Sequence, residues 1–482
     1  MTEKRFVSRQ QELALLDEIN NEPDAQFVLV YGRRRVGKTT LLLHWARQTG
    51  LPLFYWVAGR DTPENLRANF AQALYRWADP DFPVSSIRPT NWPEIFQAAA
   101  KLIGERQVIF VIDELPYAAE SDRALLSYIQ AAWDHLFEQS RVRWFLCGSH
   151  IGMMLQTTEY QAPLYGRFTA RLPVEPISFA GTVGFLPGYD VYQRMAVYAM
   201  MGGIPGYLAR WRDSESVGQN IKRLFVRQTA MFLDEPFVLI GDLIQRETDT
   251  YERIIKAIAL GAHTPETIGR ELNLSASYVS PYLKRLTALH LVERRVSALV
   301  PPARRQETRA VRYYLRDAYL RFYYRFIHPN LHLVEQELGD ALWKHIADNL
   351  RAFVGEAYED VCRQWVLAKA RAGELPFMPE VVGAHWGRDA QIDVLAINHA
   401  QKAILLGECK WGNRRVEPDV VARLAERARR VVPDGGEGWQ VHYAFFAREG
   451  FAPETRQVAA QLDKNTLLLT LPDLERDLAR LE

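Results

Sequence analysis

An α/β fold built on a parallel sheet covered by helices is the class this sequence predicts, and three observations predict it. Short apolar runs alternate with amphipathic stretches over roughly the first 180 residues. A G-x-x-x-x-G-K-T segment sits between one such run and a helical pattern, and a later apolar run ends on an acidic pair. "AQFVLVYG", "LPLFYWVAG", "RQVIFVIDE" and "VRWFLCGSH" read as strands, with helical patterns such as "PENLRANFAQALYRWA" between them. From about 190 to 245 the spacing of Leu, Tyr and Phe is helical. Residues 250 to 325 read as short helices followed by a basic, strand-like segment, and "FYYRFIHPNLHLVEQELGD" reads as a junction. From about 350 a helix, "VGEAYEDVCRQWVLAKA", precedes two strands, "QIDVLAIN" and "KAILLGECK", and a further helix, "PDVVARLAERARRVV", which makes a compact α/β unit.

The chain of 482 residues exceeds what one core serves and points to about three domains. With 48% apolar and 24% charged residues these domains are expected to be globular. A net charge of +1 excludes a globally basic nucleic-acid binder and leaves room for local basic surfaces. Cys147, Cys362 and Cys409 form no CxxC pair, so neither a disulfide framework nor a structural zinc site is indicated and a reducing cytoplasm is expected. The first residues lack an apolar signal core and no apolar run reaches 18 residues, so neither secretion nor membrane spanning is expected.

"GRRRVGKT", Gly32 to Thr39, fits the phosphate-binding loop at every fixed position and in its strand-to-helix context. The glycines let the backbone N–H groups of Arg35, Val36, Gly37, Lys38, Thr39 and Thr40 curl around phosphate oxygens at a helix N-terminus. Lys38 would reach the terminal phosphates of ATP and the Thr39 hydroxyl would hold Mg²⁺. In "VIFVIDE", Asp113 would bind the metal's water shell and Glu114 would polarise the attacking water. Ser149, at the end of "FLCGS", is placed to sense the γ-phosphate, and Arg167 in "PLYGRF" is a candidate donor of positive charge to the transition state.

"FVSRQQELALL", "YGRRRVGKTTLL", "VIDELPYAA", "GSHIGMM", "PLYGRF" and "GGIPGYL" together resemble the archaeal-type AAA-related ATPases of the STAND class, found in archaea and bacteria. The resemblance continues through "LRDAYLRFYYRFIHPN" and "GECKW" into the C-terminal domain of unknown function that accompanies this ATPase. It implies that Gly203, Ile204 and Pro205 lie in a helical lid near the adenine and that Arg167 is a polar sensor or finger near the phosphates, of its own subunit or of a neighbour.

"TPETIGRELNLSASYVSPYLKRLTALHLVERR" has a short helix, a polar turn, and a second helix with Val279, Leu283, Leu286 and Leu289 at helical spacing. A basic strand follows, which makes a helix-turn-helix with a wing. Ser277 is expected to cap the second helix, so that Pro281 falls in its first turn. Tyr278, Ser280, Lys284 and Arg285 would face DNA, and the run from Arg294 through "PPARRQETRAVR" would follow its backbone. The alternative is a lid that packs or senses nucleotide.

The last motif resembles the metal-dependent nucleases of the PD-(D/E)XK fold, which place one acid on a strand and an acid-x-lysine triplet on its neighbour. Asp393 in "QIDVLA" and Glu408 with Lys410 in "GECK" match, and Glu356 on the preceding helix would complete the site. Period-two alternation puts Glu408 and Lys410 on one face of their strand and Cys409 on the other. The two acids would hold Mg²⁺, and Lys410 would orient water or stabilise the phosphate. Gln391 stands where many relatives of that fold carry another acid, which lowers the expected metal affinity, and a Glu–Lys surface pair is the alternative. Arg388, Lys402, Arg414 and Arg415 suit a phosphate backbone and also suit ordinary solubility.

The expected architecture is therefore an α/β P-loop NTPase core with a parallel sheet (1–180), a helical lid (181–248), a winged helix (249–325) and a C-terminal restriction-endonuclease-like α/β domain (326–482). The expected function is ATP hydrolysis coupled to a DNA-binding, Mg²⁺-dependent nuclease-like domain, with a regulatory scaffold that binds without cleaving as the alternative. Double-stranded DNA is the expected partner, a homo-oligomer and a protein trigger are compatible with it, and no membrane is involved.

Overall fold

All four predicted apolar runs of the first 180 residues are strands of one parallel sheet. The computed structural model describes residues 6–84, 87–226, 230–241, 247–387, 390–463 and 465–481. Contacts divide the chain into two units, Met1–Pro176 with Ile204–Gly206, and Ile177–Gly203 with Tyr207–Glu482.

The first unit opens with α1 (Gln10–Asn21), β1 (Gln26–Tyr31) and α2 (Lys38–Thr49), followed by β2 (Leu53–Val57), α3 (Pro63–Ala78) and α4 (Trp92–Ile103). It continues with β3 (Ile109–Asp113), α5 (Leu115–Ser121), α6 (Leu125–Ala132), β4 (Arg143–Gly148), α7 (Ile151–Gln156) and β5 (Ala170–Pro173). The sheet order is β2-β3-β4-β1-β5, and every neighbouring pair is parallel. β3 and β4 are buried along their whole length and β1 along all but its last residue, as expected for strands covered by helices on both faces. One face packs an aromatic core in which Phe54 stacks on Phe110, and Phe110 meets Trp144 edge-on. Because all strands point the same way, the ends of β1, β3 and β4 lie together at one edge of the sheet.

In the second unit, Asp190 and Gln193 form a reciprocal capping box that starts α8 (Val191–Met201). The chain goes on through α9 (Pro205–Leu208), whose first two residues count with the first unit, and through α10 (Val217–Ile221) and α11 (Met231–Gly241). Next come α12 (Thr248–Ala259), α13 (Pro265–Leu272) and α14 (Ala276–Ala288), then an antiparallel hairpin of β6 (Val292–Val296) and β7 (Val311–Leu315). Val279, Leu283 and Leu286 form the buried side of α14, as their spacing predicts. The cap of α14 differs from expectation: it is Ser275, whose Oγ accepts the Tyr278 N–H at 3.2 Å. Pro281 is therefore the sixth residue of the helix rather than a first-turn residue. The N–H it lacks would have bonded the carbonyl of Ser277, an exposed residue that leaves this carbonyl within reach of water.

After α15 (Ala318–Phe322) and α16 (Leu331–Glu335), a 33-residue helix, α17 (Gly339–Arg371), begins eleven residues before the helix expected from about 350. It leads into β8 (Val381–Trp386), β9 (Gln391–Asn398), β10 (Ala403–Lys410), α18 (Pro418–Val431), β11 (Gln440–Ala447), α19 (Pro453–Leu462), β12 (Leu467–Thr470) and α20 (Leu471–Leu481). The sheet order is β12-β11-β10-β9-β8, antiparallel from β8 to β10 and parallel from β10 to β12. Leu395, Ile404 and Leu406 share a core with Val421, Leu424 and Ala428 of α18, while Trp365 of α17 packs edge-on against Phe446 of β11.

Most of the hairpin's basic run is engaged inside the unit, which narrows the expectation that it follows a nucleic-acid backbone to exposed Arg304 and Arg309. Arg294 donates to the carbonyls of Arg305, Gln306 and Thr308, Arg305 donates to those of Val296, Ser297 and Val300, and Arg312 lies 4.9 Å over the Trp386 ring. Ala298 N–H reaches Ala384 O at 2.8 Å, so the chain leaving β6 pairs with β8. Arg295 bonds Asp360 of α17 at 2.8 Å, and Asp360 also takes Arg363 at 2.6 Å. Burial pushes the Asp360 carboxyl up, but Arg295, Arg363 and Arg321 more than offset this and hold it well below the usual carboxylate range. Asp360→Ala is expected to strand two partly buried guanidinium groups and to cost ~3 kcal/mol in urea denaturation, while Arg325→Ala, which removes the partner of half-exposed Glu356, should cost under about 1 kcal/mol.

Candidate functional site

The phosphate loop leaves β1 at Gly32, where a side chain has no room because an added Cβ would collide with the carbonyl oxygen of Val174 beyond β5. Gly37, at φ 97°, adopts the left-handed conformation that favours glycine and delivers the chain into α2. No side chain caps α2, so the N–H groups of Lys38, Thr39 and Thr40 stand at its N-terminus. Lys38 is buried and curls back on the loop, donating to Gly32 O at 2.8 Å and Arg33 O at 3.2 Å. Val36 is buried, and Arg35 O accepts the Gly206 N–H at 3.0 Å, which brings the segment containing Pro205 against the loop.

The acidic strand end meets the loop directly. Thr39 Oγ1 donates to Asp113 Oδ2 at 2.6 Å across 74 residues of sequence. Glu114, at φ 52°, accepts the Ser149 hydroxyl at 2.9 Å and the Ser149 N–H at 3.3 Å, which joins the end of β4 to the same cluster. Hydroxyl and carboxylate oxygens are the donors a hard divalent cation takes, and the loop N–H groups and Lys38 are phosphate donors, so the set fits ATP with Mg²⁺.

Two further residues of this site are absent from the sequence expectations. Tyr55 donates to Asp113 Oδ2 at 2.6 Å, and burial together with that carboxylate raises its phenol far above the usual value. Arg9 donates to Val36 O at 2.8 Å and Glu175 O at 2.7 Å, which ties the start of α1 to the loop. The period-two pattern of "LFYWV", with Phe54 and Trp56 turned to the aromatic core, was the available signal for Tyr55. Arg167 lies elsewhere. Its guanidinium grips Asp134 in a two-pronged ion pair at 2.8 Å, and Thr169 N–H donates to Phe27 O at the start of β1. The loop follows the other end of β1, roughly 15–20 Å away at about 3.3 Å per residue. The expectation that Arg167 stands near the phosphates of its own subunit is therefore corrected.

A second cluster forms where β9 and β10 part. Their pairing ends at Gly407 opposite Val394, so Asp393 and Glu408 occupy the next facing positions. Asp393 Oδ2 accepts the Cys409 N–H at 3.0 Å. Glu408 is buried, and both its oxygens are held: Lys410 Nζ lies 2.6 Å from Oε1 and Arg427 of α18 lies 2.8 Å from Oε2. The Glu408–Lys410 bond agrees with the shared strand face expected from alternation. Burial and the neighbouring Glu408 raise the Asp393 carboxyl, partly offset by the Cys409 N–H.

Glu356 takes no part in this cluster, because it pairs with Arg325 at 3.1 Å and is half exposed. The acid that faces Asp393 from α17 is Glu359, pushed up to about 7 by burial and by Asp393. Arg363 donates to Asp393 O at 2.5 Å, and Arg427 donates to Gln391 O at 2.8 Å. Among the described residues no three His, Cys, Asp or Glu side chains are grouped to hold an ion. With Glu408 fully paired, the arrangement does not fit a resident Mg²⁺. Lys402 precedes β10, at the opposite end of the strand from Glu408, whereas exposed Arg414 and Arg415 follow it, and Arg388 lies outside the described residues.

A P-loop ATPase fold is the class that this sheet and loop define. Residues 6–211 match the family described as an ATPase domain predominantly from Archaea, and residues 323–422 match the family of archaeal and bacterial proteins of unknown function. The chain is 27% identical over 449 residues to an uncharacterized protein of Methanocaldococcus jannaschii, covering 92% of this chain and 96% of that one. An uncharacterized ATP-binding protein of the same organism is 51% identical over 37 residues, 8% of this chain and 63% of that one. The solved Walker-type ATPase of Pyrococcus abyssi shares the fold, with a TM-score of 0.51 and 21% identity over 66% of this chain and 96% of that one. Among the described residues no helix is long and apolar enough to cross a membrane.

Glu359 binds its proton more tightly folded than unfolded, so its contribution to stability is present below pH ~4.5 and is lost as pH rises through about 7. Glu359→Gln is therefore expected to raise Tm relative to the natural chain at pH 8 and to leave it nearly unchanged at pH 4, read by thermal melts at both values.

Proposed function

We propose that the chain is an ATP-driven switch whose hydrolysis cycle governs a DNA-binding module and a nuclease-like C-terminal domain. The observation that carries this reading is the 2.6 Å bond from Thr39 to Asp113, which joins the phosphate loop to the acidic strand end. Mg²⁺, when bound with ATP, supplies charge neutralisation at the β- and γ-phosphate oxygens. Lys38 exchanges the loop carbonyls for terminal phosphate oxygens, and the N–H groups of α2 hold the remaining negative charge. Glu114 orients the attacking water. Ser149 holds Glu114 and turns its hydroxyl to the γ-phosphate when that arrives, so the base is released only in the loaded site. Arg167, at the other edge of the sheet, reaches the phosphates of a neighbouring copy, which makes a homo-oligomer part of the proposal.

α12 to α14 with the β6–β7 hairpin suit a winged helix, in which Tyr278, Ser280, Lys284 and Arg285 are exposed on α14 and supply the contacts to double-stranded DNA. The helix–three strands–helix–strand order from α17 to β11 supports the PD-(D/E)XK reading. Within it, a domain that binds without cutting is favoured over an active nuclease, because both Glu408 oxygens are occupied by cations and Gln391 replaces an acid. A protein trigger and a reducing cytoplasm, compatible with three free thiols, complete the reading.

Lys38→Ala is expected to lose ATP binding, and Glu114→Gln to keep binding while losing 10²-fold or more in ATPase rate. Arg167→Ala should abolish any rise of the per-chain rate with protein concentration. Retained hydrolysis in Lys38→Ala would refute the assignment. For DNA, Lys284→Ala and Arg285→Ala should each flatten the salt dependence of duplex binding by about one unit of slope. Plasmid nicking with Mg²⁺ should be absent. Cleavage that is lost in Asp393→Ala and Lys410→Ala would restore the nuclease reading.

A further inference from the structure

Asp113 is only 2% exposed, and its carboxylate is saturated by donors. Oδ1 accepts the Glu114 N–H at 2.9 Å, while Oδ2 accepts two hydroxyls at 2.6 Å, those of Thr39 and Tyr55. Both lengths fall in the short range of hydroxyl-to-carboxylate bonds. The two hydroxyls differ in what ties them. Thr39 belongs to the loop and must turn an oxygen lone pair toward a cation, which frees one position on Asp113. Tyr55 belongs to β2, whose backbone is paired along β3 with Tyr55 opposite Val111, two residues before Asp113. Its ring is therefore fixed by the sheet and stays beside the carboxylate when the loop changes partners.

We propose that Tyr55 is a positioning residue of the ATP site, holding the Asp113 carboxylate in the orientation that receives the divalent cation accompanying the nucleotide. This assignment rests on the ATP reading above. A carboxylate that kept only the Glu114 N–H after Thr39 turned away would be free to rotate about its last bond. Tyr55 removes that freedom and supplies a second-layer donor of the kind whose loss typically lowers metal affinity 10- to 100-fold. Phenylalanine would keep the ring and its burial and delete only this donor.

The experiment uses the full chain and the Tyr55→Phe variant, with a fluorescent ATP analogue titrated in EDTA and again in saturating Mg²⁺, and Mn²⁺ binding followed by its paramagnetic signal. In EDTA the two chains should bind the analogue within about twofold of each other. The gain in affinity on adding Mg²⁺ and the Mn²⁺ affinity of the nucleotide complex should both fall 10- to 100-fold in the variant. In an Asp113→Asn background the same substitution should change neither. Equal Mg²⁺ gains in the two chains would overturn the assignment, as would a variant weakened equally with and without metal, since that is what lost packing produces. A natural chain that binds no nucleotide in either buffer would instead overturn the ATP reading and the assignment with it.

Discussion

The bond between Thr39 and Asp113 depends on a constraint set by the sheet. Parallel strands deliver all their carboxyl ends to one edge, and the order β3-β4-β1 puts three of those ends next to one another. The loop after β1 brings phosphate donors, the end of β3 brings the acids, and the end of β4 brings Ser149 between them. β5 contributes in another way, because the Val174 carbonyl just beyond it leaves space for glycine alone at position 32. Arg9 then fastens Val36 and Glu175 together, so that the loop is held from both ends. An antiparallel sheet would send alternate ends to opposite edges and separate the same residues by the length of a strand.

The second unit uses its charges differently. Arginines that would look like a nucleic-acid surface are spent on carbonyl oxygens, an aromatic ring and the partly buried Asp360. A buried ion pair is weak evidence for stability, since desolvation offsets its attraction, but it does fix orientation. Here it holds the β6–β7 hairpin to α17, and Arg363 of the same network reaches the backbone of Asp393. The hairpin, α17 and the start of β9 therefore share one set of bonds. Between the two strands of the hairpin Arg304 and Arg309 stay exposed.

Much of this was legible in the sequence for a physical reason. The parallel strands announce themselves because burial on both faces demands unbroken apolar runs, and the loop does so because glycine is required where backbone approaches backbone. Tyr55 and Glu359 were not legible. A tyrosine in an apolar run reads as core, and its partner lies 58 residues away on another strand. Glu356 and Glu359 are three residues apart on one helix, and only the rotation of α17 decides that the former meets Arg325 and the latter Asp393. For Arg167 the resemblance left both its own subunit and a neighbour open, and the fold speaks against its own subunit. Its neighbours in sequence carried the resemblance, but the residue precedes β5 and so falls at the amino edge of the sheet, where Asp134 neutralises it. The Ser277 expectation failed because helix caps are set by one residue's dihedral angles, which periodicity does not register.

The C-terminal cluster can be weighed by charge alone. Glu408, Asp393 and Asp360 are opposed by Lys410, Arg427, Arg363 and Arg295, and burial together with Asp393 pushes the Glu359 carboxyl up, toward its neutral form. The group is thus close to neutral without any ion. A nuclease site that waits for a divalent cation carries surplus negative charge, which the cation neutralises on arrival. Here an arriving cation would have to separate Glu408 from two cationic partners at hydrogen-bonding distance and leave Arg427 in a partly buried position with only the backbone carbonyls of Gln391 and Arg423. The attraction gained must exceed both penalties, and Glu359, its carboxyl pushed up by burial and by Asp393 and lying 3.6 Å from Arg363, adds little to it. A phosphate group would meet a lower penalty at the same place, because it can take exposed Arg414 or Arg415 and draw on Lys410 without breaking the Arg427 bond.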